Sequence, residues 1–470
     1  MSTSQAPTVN AFDGDDPNWA VAAKQASLQN RVAPVPNQPR PTQPTIQGKG
    51  EFVPREPESL REAGLREPQI EALVLKFLLN TGGNTGREIA QQLALPFGLM
   101  EKLLQSMKLD QLIGYRGASV VGDYLYELAP RGVERARSHA TQSTYFGAAP
   151  VPLADYVASV EAQSVRHEKP SIGSVKQTLR DLTLSDRIQR QIGEAVNLGK
   201  GFFLHGPPGN GKTCIAERIT DIYGEGIWIP RAIQASGEII RVYDPSKHKK
   251  LEWNEELSIG DQRIDGRWVY IKRPTILVGG ELQMENLEVS TNDVTGISEA
   301  PIQLKANCGT LVIDDFGRQK FDIEALLNRL IIPLERRVDV LNLKSGRSFD
   351  IPFDLLIVFS TNLAPEDLID EAFLRRVPFT IRADNPTEEQ FREVFDNVAK
   401  KFGLQYDPSV LNYLIETHYR NANRPFRFCQ PRDILQQVNN ACEFARVDKV
   451  VTNERIDAAI DNCLAIRLDS

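Results

Sequence analysis

GFFLHGPPGNGKTCIAERI, residues 201–219, is the stretch on which the reading of this chain turns. A short apolar run leads into a glycine-rich loop, and the residues after it continue with helical spacing. Strand, loop and helix form the setting in which Gly-x-x-x-x-Gly-Lys-Thr cradles a triphosphate. Gly206, Gly209 and Gly211 let the backbone turn its N–H groups inward. The following helix adds the positive end of its dipole. Lys212 reaches the β- and γ-phosphates, and Thr213 offers a hydroxyl to magnesium. ATP with Mg²⁺ is therefore the expected ligand, held by Gly206, Pro207, Pro208, Gly209, Asn210, Gly211, Lys212, Thr213 and Cys214.

Such a loop needs a carboxylate at the tip of a neighbouring buried strand. TLVIDD, residues 310–315, supplies one. Its apolar, β-branched run reads as a central strand, and ligands bind beyond the carboxyl ends of such strands. Asp314 is the expected magnesium carboxylate, acting through water, and Asp315 the group that polarises the attacking water. A third buried run, LLIVFSTN at 355–362, ends in Asn362, whose amide suits a place between the γ-phosphate and that water.

In that order the motifs resemble those of AAA+ ATPases, over roughly residues 171–466. The resemblance implies an α/β fold: a P-loop core with a parallel sheet, then a C-terminal helical lid. It makes Asn362 the first sensor. EAFLRRV, residues 371–377, is similar to the family's arginine-finger segment, with Arg376 as the finger acting in trans and Arg375 its neighbour. QPRDIL, residues 430–435, is similar to the second sensor, which gives Arg432 a γ-phosphate of its own subunit. The shared chemistry is stabilisation of transition-state charge. Asp315 stands where most relatives carry Glu, as in the DnaA and DnaC helicase-loader branch, while the general layout is similar to MoxR-like ATPases. The family also implies ATP hydrolysis in a homo-oligomeric ring, of six subunits by resemblance.

Around this core the chain divides by composition. Residues 1–56 are rich in Pro and Gln and poor in large apolar side chains, so they read as a disordered tail. Residues 57–140 show three helical patterns and two alternating pieces, an α+β order that resembles a winged helix. Residues 141–170 read as a linker, with a short helix near 153–165. The core is expected over 171–385, with a β-rich insertion around 225–305 that includes strands on both sides of Pro274. The lid takes 386–470.

Composition is that of a soluble globular protein, 41% hydrophobic and 25% charged, with a net charge of -7. No apolar run approaches the ~18 residues that span a bilayer. The five cysteines are scattered, which suits a cytoplasmic, reducing compartment. Two function classes remain open. One is a chaperone-like ATPase remodelling a protein client; the other is a DNA-binding regulator or loader using residues 57–140. That span carries no basic excess, since residues 58–140 hold ten Lys/Arg against ten Asp/Glu. The basic run at 247–250, beside Trp253, reads as a surface loop, with binding of an anionic polymer as the alternative.

Overall fold

A computed structural model describes residues 46–47, 51–118, 123–224, 226–253, 263–319, 322–368 and 371–464. The Pro/Gln-rich tail expected over 1–56 falls mostly outside these residues. Among the described residues, no helix is long and apolar enough to cross a membrane.

The core is a five-stranded parallel sheet built from β1 (Phe202–His205), β2 (Thr275–Val278), β3 (Thr310–Ile313), β4 (Leu356–Thr361) and β5 (Phe379–Arg382). Their order across the sheet is β2-β3-β4-β1-β5. An all-parallel sheet needs cover on both faces, so its strands read as unbroken apolar runs. β1 shows how the pleat divides them. Phe203 joins Leu311, Ile313, Ile357 and Phe359 on the face covered by helix Ile323–Arg336. Phe202 and Leu204 join Val312, Leu356 and Val358 on the other face, under helices Asp186–Leu198 and Lys212–Ile219.

The strand Thr275–Val278 corrects one expectation. It was read as part of the insertion, but it pairs in parallel with β3, Thr275 opposite Thr310 and Val278 opposite Ile313. The extra β structure is thus split into two pieces, one before β2 and one after it. The first holds strands Gly226–Pro230, Ala232–Ala235, Glu238–Arg241 and Trp268–Lys272, and the second holds Ser290–Thr291 and Ser298–Glu299. A buried apolar tetrad carries no mark of which sheet it joins, so sequence pattern could not separate the two.

Within the N-terminal module, helices Glu67–Thr81, Gly86–Leu93 and Phe97–Leu109 precede an antiparallel pair, Ile113–Ala118 with Tyr124–Leu128. Thr85 caps the second helix: its hydroxyl accepts from Glu88 N, and the Glu88 carboxylate accepts from Thr85 N at 2.7 Å. Helix Pro130–Gln142 closes the module.

Residues 141–170, read as a linker, are packed. Val151–Pro152 adds a strand beside Ala232–Ala235, Val151 opposite Ile233. Tyr156 and Val160 of helix Leu153–Ala162 lie in the core of the inserted sheet. Arg267, buried within that sheet, forms an ion pair with Asp265 at 2.7 Å and donates to Ala63 O of the first module at 2.8 Å. These contacts fasten module, connector and insertion into one body.

The lid has its own core, in which Phe391, Phe395, Leu414, Ile434, Leu435 and Ile456 are fully buried. It is built mainly from helices Glu388–Phe402, Gln430–Ala445 and Asn453–Leu464.

Candidate functional site

Parallel register gathers several of the candidate residues at one edge of the sheet. Ile313 lies opposite Phe359, Thr361 opposite His205, and His205 opposite Arg382. Asp314, Asn362 and the loop after His205 therefore leave three adjacent strands side by side. Gly206, Gly209 and Gly211 all have positive φ, at 142°, 83° and 75°. Two of them also admit close neighbours. A Cβ on Gly206 would lie 2.5 Å from Ala383 O, and one on Gly209 would lie 2.7 Å from Cys429 Sγ. The loop thus needs glycine both for its turn and for the approach of β5 and the lid.

The side chains then meet in a short chain of bonds. Thr213 Oγ1 donates to Asp314 Oδ2 at 2.7 Å. Lys212 Nζ donates to Gly206 O at 2.9 Å and to Asn362 Oδ1 at 2.7 Å. Asn362 Nδ2 in turn donates to Asp315 Oδ1 at 3.3 Å. Asp315 leaves β3 in the left-handed region, φ 48°, which Asp tolerates better than most residues. Burial pulls the Lys212 amine below its ordinary pKa, while Asp314 and Asp315 hold it up. The ammonium donates to the Gly206 and Pro207 carbonyls and the Asn362 amide oxygen, and phosphate oxygens would offer stronger, charge-assisted acceptors. The Thr213 hydroxyl and the Asp314 carboxylate are hard oxygen donors next to that ammonium, a pair that fits Mg²⁺, which keeps waters and takes phosphate oxygens for the rest.

The other expected residues lie elsewhere. Cys214 is exposed in the first turn after the loop. Arg376 bonds to Glu335 of helix Ile323–Arg336 at 2.7 Å and does not join the cluster of Lys212, Asp314 and Asn362. Arg432 projects from the first turn of helix Gln430–Ala445 with its side chain 64% exposed, beside Asp433.

The lid touches the loop through residues that sequence reading passed over. Cys429 N donates to Gly209 O at 2.9 Å. Asn385, just beyond β5, accepts from Asn210 Nδ2 at 2.9 Å and from Arg427 Nη1 at 2.8 Å. Arg427 is near enough to Lys212 to depress its pKa further. The signal lies in PFRFC, residues 425–429, as the arginine at 427, but the cue for a lid helix comes one turn later, at Gln430.

Set against known proteins, residues 387–462 match a family model described as a domain of unknown function, DUF8689. That span is the helical lid, well under half of the chain. Comparison with curated proteins gives no match. Among solved structures, NtrX from Brucella abortus is similar at 14% identity and a TM-score of 0.37, over 59% of this chain and 56% of that one. The RuvB Holliday junction branch migration motor of Thermotoga maritima is similar at 12% identity and a TM-score of 0.35, over 60% of this chain and 71% of that one. This chain thus spans little more than half the length of NtrX. Likeness at that distance decides nothing about activity, and the α/β assignment rests on the strand order and the loop geometry.

Proposed function

We propose that this chain is an AAA+-type ATPase that binds Mg-ATP at residues 206–214 and hydrolyses it at an interface between subunits. The observation that carries the reading is the convergence of Lys212, Thr213, Asp314 and Asn362 from three parallel strand tips, with both key contacts at 2.7 Å. Lys212 neutralises the β- and γ-phosphates, and Thr213 and Asp314 hold Mg²⁺, which supplies Lewis-acid polarisation when bound. Asn362 and Asp315, already bonded to each other, orient and deprotonate water for attack on the γ-phosphorus. The products are ADP and phosphate. Arg376 completes the site of a neighbouring copy in a ring, possession of which makes the protein a homo-oligomer, and Arg432 serves the γ-phosphate of its own subunit. The work done is remodelling of a protein client in the cytoplasm, with the N-terminal module and the inserted sheet as the client-facing parts.

The test is phosphate release by the purified chain with and without Mg²⁺, run beside sizing with and without ATP. Mg-dependent release that rises with assembly is expected. Release with a strictly concentration-independent monomer would remove the shared site. No release, with ATP still bound, would leave an ATP-binding switch and overturn the enzyme. Mixing Arg376→Ala with Asp314→Ala protein is expected to restore part of the activity lost in each.

A second reading makes the chain an ATP-controlled DNA-binding regulator or loader. It draws on Tyr115 and Tyr124, partly exposed on the antiparallel pair of the winged-helix-like module and stacked at 4.3 Å, with Lys108 over the Tyr115 ring. Salt-dependent binding of the full chain to duplex DNA would favour it; no binding at low salt would sink it.

A further inference from the structure

Far from the phosphate loop, a cavity of about 830 Å³ lies between the first module and the inserted sheet. Helices Glu67–Thr81 and Pro130–Gln142 form one wall. Strands Ala232–Ala235 and Glu238–Arg241 form the other, with the turn at 292–296 and the tip of the hairpin Val338–Asn342 with Ser348–Pro352 at the mouth.

Lys76 lies in this wall and is only 6% exposed. Its amine donates to Ser143 O at 3.1 Å, which uses one of three N–H donors. Among the described residues, no carboxylate lies within ion-pair range of it. On the neighbouring helix, His139 lines the same cavity, and its buried Nε2 has no hydrogen-bond partner among the described residues. A buried cation without a counter-ion and a buried ring nitrogen without a partner are each costly. Arg66 and Lys344 are balanced in the lining by Glu238 and by Asp293, which pairs with Lys344, so Lys76 is the surplus positive charge of the cavity. Burial lowers the Lys76 amine to about 8, so it still carries its charge at neutral pH.

We propose that this cavity is a binding site for a small organic anion, whose carboxylate or phosphate head sits on Lys76 and His139. The rest of the lining suits a hydroxyl-bearing body: Thr141, Gln234 and Ser298 offer polar groups, while Leu73 and Ile239 supply apolar surface. Bound there, the anion bridges the first module and the insertion. The site stands apart from the nucleotide reading and does not depend on it.

Calorimetry on the full chain tests it, in a Lys212→Ala background so that the phosphate loop does not compete. Three probes share one body: glycerol 3-phosphate, glycerate and glycerol. The expected result is saturable binding of at least one anion below about 10 mM, none of glycerol, and a loss of about tenfold or more with either Lys76→Met or His139→Leu. Preference between the two anions tells a phosphate head from a carboxylate head. Binding of neither anion overturns the proposal, as does binding that both substitutions leave unchanged. The two substitutions lie on separate helices, and circular dichroism identifies one that fails to fold, in which case the other decides.

Discussion

The phosphate site and the junction between the first module and the insertion use charged residues in opposite ways. At the phosphate site the chain itself supplies continuity: residues 206–213 are contiguous, and Asp314 and Asn362 each end an apolar run that parallel pairing sets beside the loop. At the junction, Arg267 bonds to a carbonyl 204 residues away, and its counter-ion Asp265 is as buried as it is. Lys76 is buried there with no such counter-ion among the described residues. Charge in the first region stands where the proposed ligand would enter from solvent. In the second, one buried pair holds modules together, while one buried cation faces a cavity.

Substitutions sharpen that contrast. Lys212→Ala is expected to have the largest effect, lowering ATP affinity by about a hundredfold or more, because the phosphates lose a desolvated counter-charge. Thermal melts of the free protein should hardly change, and unchanged affinity for labelled ATP would break the assignment. Asp265→Ala should do the reverse. It strands Arg267 as an uncompensated buried cation, and the expected loss is about 3 kcal/mol of stability. Chemical denaturation would measure it, with ATP binding to the remaining folded protein close to normal.

Between these extremes lies a test of the lid. Arg427 bonds beside the loop, whereas Arg432 points outward. Arg427→Ala is expected to weaken ATP binding about tenfold, and Arg432→Ala to weaken it by less than about threefold while slowing hydrolysis, where its γ-phosphate contact acts. The opposite ranking in a binding titration would show that the lid turns on nucleotide to bring Arg432 inward.

A modest effect, on stability alone, concerns Lys76. Its pKa in the folded chain is about 8 against an ordinary 10.5, so the unfolded chain binds more protons between those values. Stability lost to burying the charged amine is lost in full below pH 8 and regained as pH rises toward 10.5. Lys76→Met should therefore stabilise the protein at pH 7 by on the order of 1 kcal/mol, after allowance for solvent screening. The gap between variant and parent should close across that window, as read from melts at stepped pH.

Much of the candidate site is legible in the sequence because its parts are local. Three glycines at fixed offsets, a lysine and a threonine at a helix start, and carboxylate or amide groups at strand ends carry their chemistry in their spacing. The less legible parts depend on contacts between distant segments. Thr275–Val278 looks like any buried tetrad until its partner β3 is known. Val151–Pro152 looks like loop because prolines flank it, yet it completes a sheet edge, where a missing N–H costs little. Arg427 and Arg432 are both arginines near the start of one helix, and only the approach of Cys429 to Gly209 shows which stands nearer the loop.

By itself, the sequence determined the phosphate loop, the three strand tips beside it and the α/β class, because backbone turning, burial of apolar runs and phosphate chemistry act over a few residues. Tertiary structure alone decided which strand belongs to which sheet, that residues 141–170 are packed, which lid residues reach the loop, and that Lys76 and His139 share a cavity. Those depend on which surfaces are buried against each other, and a linear order of residues does not contain that information until the chain has folded.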